Sequence, residues 1–143
     1  MNWTSGAYRV TTERKQFDDV AIHAYLTTSY WSPGVPLDVV KRALDHSVCF
    51  GLFQGDAQVG LARAVTDRAT FAYLADVYVL DDHRGQGLGK FIMTCVLDHP
   101  DLKSLRRMML GTKDAHGLYA NYGFTPLKTP ARFMERHDPD VYR

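Results

Sequence analysis

Three glycines within five residues stand between an apolar segment and an amphipathic one. Gly85, Gly87 and Gly89 lie in the stretch LADVYVLDDHRGQGLGKFIM, which spans residues 74–93. Glycine is costly inside regular structure, so glycines crowded at a strand-to-helix junction indicate that the backbone comes close to a ligand. The first amides of a helix lack partners within the helix and lie at the positive end of its dipole. Such amides bind phosphate groups, and the stretch therefore predicts a phosphate-binding turn.

Two common phosphate motifs do not fit this turn. A Walker A loop requires GxxxxGK[ST], but the spacing from Gly85 to Gly89 is one residue too short, and Phe91, which follows Lys90, has no hydroxyl for magnesium. A dinucleotide fingerprint GxGxxG would place its third glycine at Lys90, and no repeated βαβ unit surrounds the turn. The sequence thus excludes a Walker-type nucleotide hydrolase and a dinucleotide-binding protein.

The segments around the turn predict the elements that position it. Residues 70–80 are apolar on both alternating faces, with Asp76 as the only charge, which is typical of a central strand covered on both sides. From residue 88 onward, apolar side chains recur at the spacing of a helix that packs on a sheet. The other predicted strands are 6–12, 46–54, 57–66, 106–112, 124–127 and 131–136, and the other predicted helices are 18–28, one opened by Pro36, and 114–122 with Asp114 as its cap. The order βααβββαβαββ predicts one α/β domain, residues 1–143, with helices on both faces of a mixed, mostly antiparallel sheet.

Composition limits the class of function. Lysine and arginine total 17 against 16 aspartate and glutamate, a balance that argues against a dedicated nucleic-acid or membrane-surface binder. Cys49 and Cys95 follow no disulfide or metal pattern, and we expect buried free thiols in a reducing compartment. The start MNWTSGAYRV lacks the features of a signal peptide, no apolar run approaches the ~20 residues of a membrane span, and the six histidines show no metal-ligand spacing. We expect a cytoplasmic protein without a metal.

Two motifs carry a resemblance to a known family. The run RGQGLG fits [QR]-x-x-G-x-[GA] at Arg84, Gly87 and Gly89, and it resembles the pyrophosphate-binding turn of the GCN5-related N-acetyltransferases (GNAT). The segment DAHGLYANYGF resembles the A-x-x-L-Y-x-x-x-G-F segment of the same family, with Tyr119 in place. The order of elements from Gly6 to Glu135 is similar to the GNAT fold, and YWSPG at residues 30–34 matches small bacterial members.

The resemblance implies an acetyl-CoA-dependent N-acetyltransferase that works by direct attack in a ternary complex. It implies that pyrophosphate binds at the turn and that the pantetheine arm pairs with the preceding strand. Thr112 departs from the family pattern, because many relatives carry at this position an asparagine that contacts the cofactor. The implied cofactor-binding residues are Val77, Tyr78, Val79, Arg84, Gly85, Gln86, Gly87, Leu88, Gly89, Lys90 and Thr112.

Two residues are candidates for the chemistry. An amine with a pKa near 10 is protonated at pH 7, so attack on the thioester requires loss of a proton. Asp76 is either the base for this step or a structural carboxylate, and the two interpretations stay open. Tyr119, at the position that the family uses, is expected to protonate the departing thiolate, with His83 and His116 as alternative relays.

The acceptor pocket is expected beside the loop between the first two helices. The loop between the first two helices shapes the acceptor pocket in this fold, so Tyr30 and Trp31 are expected to line it or, alternatively, to pack on the core. The expected acceptor is a small-molecule or peptide amine, and the sequence is compatible with a homodimer. The alternative function is a non-catalytic acyl-CoA-binding sensor or interaction module.

Overall fold

Six strands form one sheet in the computed structural model, which describes residues 1–143. Neighbouring strands follow the order of the chain; β1 to β5 pair antiparallel, and β5 and β6 pair parallel. The strands are β1 Asn2–Ser5, β2 Tyr8–Thr11, β3 Val48–Gln54, β4 Ala57–Thr66, β5 Phe71–Val79 and β6 Arg107–Leu110. The helices are α1 Asp19–Leu26, α2 Leu37–Asp45, α3 Leu88–Asp98 and α4 His116–Ala120. The predicted α/β class with a mixed, mostly antiparallel sheet is confirmed.

Each face of the sheet has its own buried core. On one face, α1 and α2 contribute Ile22, Leu26, Val40 and Leu44 to a cluster that also contains Tyr78. On the other face, α3 buries Ile92, Met93, Cys95 and Val96 against the strands, as its helical spacing predicts. Burial of this apolar surface on both faces holds the helices in place. The two predicted buried free thiols are confirmed.

The first predicted strand, residues 6–12, is instead the second half of a hairpin. Gly6 has a left-handed backbone (φ 57°) and lies between β1 and β2. The residues of β1 are mostly exposed and show no apolar alternation, so their pattern did not indicate a strand. β1 therefore adds an unpredicted strand at one edge of the sheet.

The predicted closing hairpin of residues 124–127 and 131–136 is wrong. Neither segment forms a strand, and a 3-10 turn, Pro130–Arg132, overlaps the start of the second one. Pro126 and Pro130 cannot donate to a ladder, and the side chains of residues 125–143 are all exposed, so no face of this segment is buried. The observed order is ββααβββαβα. No helix combines the length and the apolar character needed to cross a membrane.

Candidate active site

A cleft opens where β5 and β6 separate. The two strands pair only from Phe71 to Leu74 on β5 and from Arg107 to Leu110 on β6, whereas β5 continues to Val79. The chain after β6 turns away toward α4, which leaves the second half of β5 with a free edge. The resulting cleft has a volume of about 1220 Å³.

The backbone of Val77 and Val79 faces this cleft. The backbone groups of Tyr78 and Leu80 point toward β4. The N–H of Leu80 donates to the Val59 carbonyl at 2.8 Å. The Tyr78 carbonyl oxygen lies close to Gly60, at 2.7 Å from the position that a Cβ atom on this glycine would take. Because backbone groups alternate along a strand, those of Val77 and Val79 point the other way. The Tyr78 ring is buried and stacks on Tyr25, with 3.9 Å between centroids. β5 thus offers alternate backbone groups to an extended ligand.

The glycine turn borders the same cleft and leads directly into α3. Gly85 (φ 79°) and Gly87 (φ 77°) both have left-handed backbones, which explains why glycine occupies these positions. α3 begins at Leu88, and no side chain caps its N-terminus. Gly85, Gly87, Leu88, Gly89 and Lys90 all line the cleft, so the first turn of α3 is directed toward it. This arrangement can bind an anion through backbone amides and the helix dipole.

The side chains of Arg84 and Gln86 bond to the protein itself. Arg84 lies along the edge of β5, where its Nε donates to the Val79 carbonyl at 3.0 Å, its Nη1 contacts Asp81 at 2.8 Å, and its Nη2 donates to the Tyr25 hydroxyl at 3.3 Å. Gln86 does not line the cleft, and its Oε1 accepts from the Tyr8 hydroxyl at 3.4 Å. Arg84 therefore hydrogen-bonds to the Val79 carbonyl, which the free edge of β5 would otherwise offer to a ligand.

Tyr119 on α4 presents a free hydroxyl to the cleft. The residue is 9% exposed and lines the cleft, and its ring packs against Phe124. The Tyr119 hydroxyl has no hydrogen-bond partner in the protein. Every fully buried side-chain oxygen does have a partner, so this hydroxyl is accessible to solvent. Burial of the ring, followed by the proximity of Tyr30, raises the pKa of Tyr119 above its usual range. This phenol therefore stays protonated at neutral pH and can donate a proton into the cleft.

The start of α4 differs from the prediction. Asp114 does not cap the helix; the hydroxyl of Thr112 accepts from the Ala115 N–H at 3.1 Å. Gly123 (φ 86°) ends the segment with the predicted left-handed backbone. Thr112 therefore has a structural partner of its own while it also lines the cleft.

Asp76 is held by two donors. Its Oδ1 accepts from Trp31 Nε1 at 2.8 Å, and its Oδ2 accepts from Arg63 Nε at 2.7 Å. Its backbone is left-handed (φ 53°), beside a bulge in the pairing of β4 with β5 between Leu61 and Arg63. The side chains of Asp76 and Arg63 are only 10% and 19% exposed. Both oxygens are thus engaged, which favours the structural interpretation of this carboxylate over that of a free base.

Arg63 was not among the predicted site residues. It is the only charge in the strand sequence AQVGLARAVT, and a lone charge in an otherwise apolar strand was the signal that could have identified it. Its Nη1 donates to Ser47 Oγ at 3.2 Å. The guanidinium is therefore held by Asp76 at Nε and by Ser47 at Nη1.

The loop between α1 and α2 bridges the cleft. The Tyr30 hydroxyl accepts from the Lys113 N–H at 3.3 Å, and Lys113 Nζ lies 5.6 Å from the centre of the Tyr30 ring. Trp31 packs edge-on against Tyr30 and reaches Asp76. Both aromatic residues line the cleft, and Tyr30 is 61% exposed, so the loop is a wall of the cleft and not part of the core.

The two histidines proposed as alternative relays differ in position. His83 lines the cleft, and its Nδ1 is bonded to the Tyr8 hydroxyl at 2.8 Å. His116 does not line the cleft. The structure contains no group of three or more His, Cys, Asp or Glu side chains arranged to hold a metal ion.

Asp76→Asn is expected to lower the free energy of unfolding by about 2–3 kcal/mol, because Arg63 would keep a mostly buried charge without its carboxylate. Asparagine tolerates the left-handed backbone, so the substitution tests the ion pair and not the turn. Urea unfolding of Asp76→Asn, Arg63→Gln and the double variant measures the coupling of the two side chains. Equal stability of the wild type and Asp76→Asn would show that the ion pair does not stabilise the fold.

Comparison with known proteins places the chain in a family. Residues 6–124 match the Acetyltransferase (GNAT) family. A provisionally assigned acetyltransferase of Gibberella zeae is 34% identical over an alignment of 139 positions, which covers 82% of this chain and 78% of the relative.

Solved structures show the same fold. A provisionally assigned GNAT acetyltransferase from Xanthomonas campestris is 50% identical and superposes with a TM-score of 0.92, covering 94% of this chain and 96% of that chain. A provisionally assigned acetyltransferase from Clostridium acetobutylicum, solved with acetyl-CoA, is 14% identical with a TM-score of 0.66, and the match covers 96% of each chain. The family match, the relatives and the fold agree, and the chain belongs to the GNAT family of acetyltransferases.

Proposed function

We propose that the protein transfers the acetyl group of acetyl-CoA to the primary amine of a small molecule or peptide, by direct attack in a ternary complex. One observation carries the proposal: the free hydroxyl of Tyr119 faces the same cleft as the uncapped, glycine-rich start of α3. A proton donor beside an anion-binding turn suits a reaction in which a phosphate-bearing thioester releases a thiolate.

The cofactor would use two parts of the cleft. The amides from Gly87 to Lys90 would bind the pyrophosphate, and the pantetheine amides would pair with Val77 and Val79 on the free edge of β5. Arg84 would have to release the Val79 carbonyl for that pairing, after which its guanidinium is free for the phosphates. The relative from Clostridium acetobutylicum, solved with acetyl-CoA, supports this choice of cofactor.

The acceptor would enter as an ammonium beside Asp76. A carboxylate has about four acceptor positions, of which Trp31 and Arg63 use two, so Asp76 can still accept from an ammonium. In this proposal Asp76 binds and orients the nitrogen, and water removes its first proton. The nitrogen then attacks the thioester carbon, the C–S bond breaks, and the sulfur takes the proton of Tyr119. The second proton of the nitrogen returns to Tyr119 through water, so one proton is released per turnover.

A covalent acetyl-cysteine route does not suit the two thiols. Burial raises the pKa of Cys49 and of Cys95 to about 12, and neither lines the cleft. The thiolate is the nucleophilic form of cysteine, and it would be scarce at neutral pH. Direct transfer to the amine is the simpler route.

Calorimetry and a thiol-release assay test the proposal. We expect acetyl-CoA to bind at least about tenfold more tightly than ATP, because ATP lacks the arm that would pair with β5. We also expect amine-dependent release of free CoA thiol from acetyl-CoA across a panel of amines and peptides. Equal affinity for the two ligands would contradict the cofactor assignment, and tight binding of acetyl-CoA without thiol release would indicate the sensor instead.

A further inference from the structure

Arg63 places a fixed positive charge on the acceptor side of the cleft. It lines the cleft together with Trp31 and Asp76, and it pairs with Ala75 of β5, five residues before Leu80, where the strand has ended and the glycine turn follows. Its Nε is bound by Asp76 and its Nη1 by Ser47. A guanidinium held at two of its three nitrogens keeps its plane fixed, so the direction of its remaining donors is set before a ligand arrives.

The third nitrogen of Arg63 has no acceptor in the protein. The hydrogen bonds of Arg63 use Nε and Nη1, and Nη2 makes none. Every fully buried side-chain nitrogen does have a partner, so Nη2 is accessible to solvent. A solvent-accessible donor on a side chain that lines the cleft can bind an acceptor group of a ligand. The strongest partner for a guanidinium N–H is a carboxylate or a phosphate.

Charges on the acceptor side are balanced. Beside Trp31 and Tyr30, Arg63 and Lys113 contribute positive charge, and Asp76 and Asp114, the neighbour of Lys113 in the chain, contribute negative charge, whereas Arg84 and Lys90 line the cleft at the glycine turn. Asp76 is already paired with Arg63, which leaves little unpaired negative charge to attract a polycation such as a polyamine. Such a surface favours a ligand that carries one charge of each sign.

We propose that the acceptor is a free α-amino acid, whose carboxylate binds Arg63 Nη2 and whose ammonium binds Asp76. This inference rests on the proposed function, and it names the class of acceptor for the same cleft. An α-amino acid carries its ammonium and carboxylate on one carbon, and Asp76 and Arg63 present opposite charges at 2.7 Å. The substrate and the ion pair are therefore complementary, with each charge of the substrate beside its opposite.

Aromatic rings provide the surface for the side chain of this amino acid. Tyr25, Tyr30 and Trp31 line the cleft, Trp31 contacts the ion pair, and Tyr25 lies 6.3 Å from Trp31 between ring centres. Rings of this kind pack against apolar and aromatic groups. The preferred acceptors are therefore amino acids with apolar or aromatic side chains. In the reaction, the N–C bond forms at the α-nitrogen as the C–S bond of the thioester breaks.

Matched substrates test the carboxylate directly. The pairs are L-tryptophan and tryptamine, L-tyrosine and tyramine, L-leucine and isopentylamine, and L-methionine and 3-(methylthio)propylamine, and each pair shares one side chain. Because the carboxylate also lowers the pKa of the amine, kcat/KM is compared at equal concentrations of unprotonated amine. We expect kcat/KM for the acid to exceed that for the amine by about tenfold or more in at least one pair, mainly through KM. An amine that is used as well as its acid, in every pair that reacts, would overturn the inference.

Variants of Arg63 connect the preference to this side chain. In Arg63→Gln the acid-to-amine ratio should fall to within about threefold of one, and Arg63→Lys should retain part of the ratio because it keeps the charge but loses the planar fork. Arg63→Lys also keeps a cation beside Asp76 if Arg63→Gln does not fold. Lys41→Gln, which removes an exposed charge on α2 outside the cleft, should leave the ratio unchanged. An unchanged ratio in both Arg63 variants would remove Arg63 from recognition.

The acetyl-CoA-dependent function and the amino-acid acceptor can fail separately. If acetyl-CoA does not bind by calorimetry, the proposed function is wrong and the inference is wrong with it. If acetyl-CoA binds but no acid in the four pairs is acetylated, the proposed function stands and the amino-acid acceptor is wrong.

Discussion

Gly87→Val is expected to raise the dissociation constant for acetyl-CoA by about tenfold or more, with the fold intact. Gly87 has φ 77°, a backbone that a β-branched residue adopts only with strain, and it is the residue immediately before α3. A Cβ at this position would meet no protein atom within 4 Å. The substituent would therefore enter the open cleft, where the pyrophosphate is proposed to approach the backbone.

Gly89→Ala is the matched control for this variant. Gly89 lies within α3, its backbone is not left-handed, and an added Cβ would meet Leu118 at 3.8 Å, an ordinary contact. Alanine inside a helix is more stable than glycine by about 1 kcal/mol, so Gly89→Ala should melt at an equal or higher temperature. Its affinity for acetyl-CoA should stay within about threefold of wild type, since the motif accepts alanine there.

Calorimetry gives the two affinities, and thermal melting shows whether each variant is folded. A folded Gly87→Val that binds acetyl-CoA normally would show that the phosphate does not lie against the turn. Weak binding by both variants would mean that the helix start as a whole, and not the approach at Gly87, limits affinity.

The parts of the site that were predictable are those that local sequence determines. The glycine turn, the strand before it and α3 lie within residues 71–98, where apolar spacing and left-handed glycines follow from neighbouring residues. Tyr119 was predicted from the motif DAHGLYANYGF, which is also a short continuous segment of the chain. The structure places both in one cleft because β6 pairs with only the first half of β5.

The contacts of Asp76 were not predictable from the sequence. Trp31 lies 45 positions from Asp76 in the chain, and Arg63 lies 13 positions away. The sequence showed a lone carboxylate in an apolar strand and left its role open between a base and a structural carboxylate. The bulge beside Asp76 and its left-handed backbone turn the side chain toward Arg63, and no local pattern indicates either feature.

The C-terminal segment shows a different limit of sequence patterns. ARFMER places the apolar residues Phe133 and Met134 among charged ones, and it was predicted as a strand, but a strand also needs a partner edge and a face to bury. In the structure Met134 is 96% exposed, and Phe133 contacts the chain through the guanidinium of Arg107, 5.1 Å from the ring centre. The presence of apolar residues could not by itself show that they stay exposed.

Tyr119→Phe is expected to lower kcat by about tenfold to a thousandfold while the dissociation constant for acetyl-CoA changes little. Phenylalanine keeps the ring that packs on Phe124 and removes the hydroxyl, which has no partner within the protein. Tyr73→Phe is the matched control, because Tyr73 also borders the cleft, and it should keep near-wild-type turnover. Single-turnover rates with a reactive amine separate the chemical step from product release.

The pH dependence distinguishes Tyr119 from a histidine as the proton donor. Burial raises the pKa of Tyr119 above its ordinary value of about 10, so the phenol stays protonated between about pH 7 and pH 9. The rate of the wild type should therefore rise over this range as more acceptor amine loses its proton, without a falling limb from the donor. The ratio of wild-type to Tyr119→Phe rates should stay constant over the same range, because the donor is fully protonated throughout.

A histidine donor, with an ordinary pKa of about 6.5, would lose its proton as the pH rises, so the rate would level off near pH 7. Unchanged turnover in Tyr119→Phe, with chemistry rate-limiting, would assign the proton to water or His83 instead.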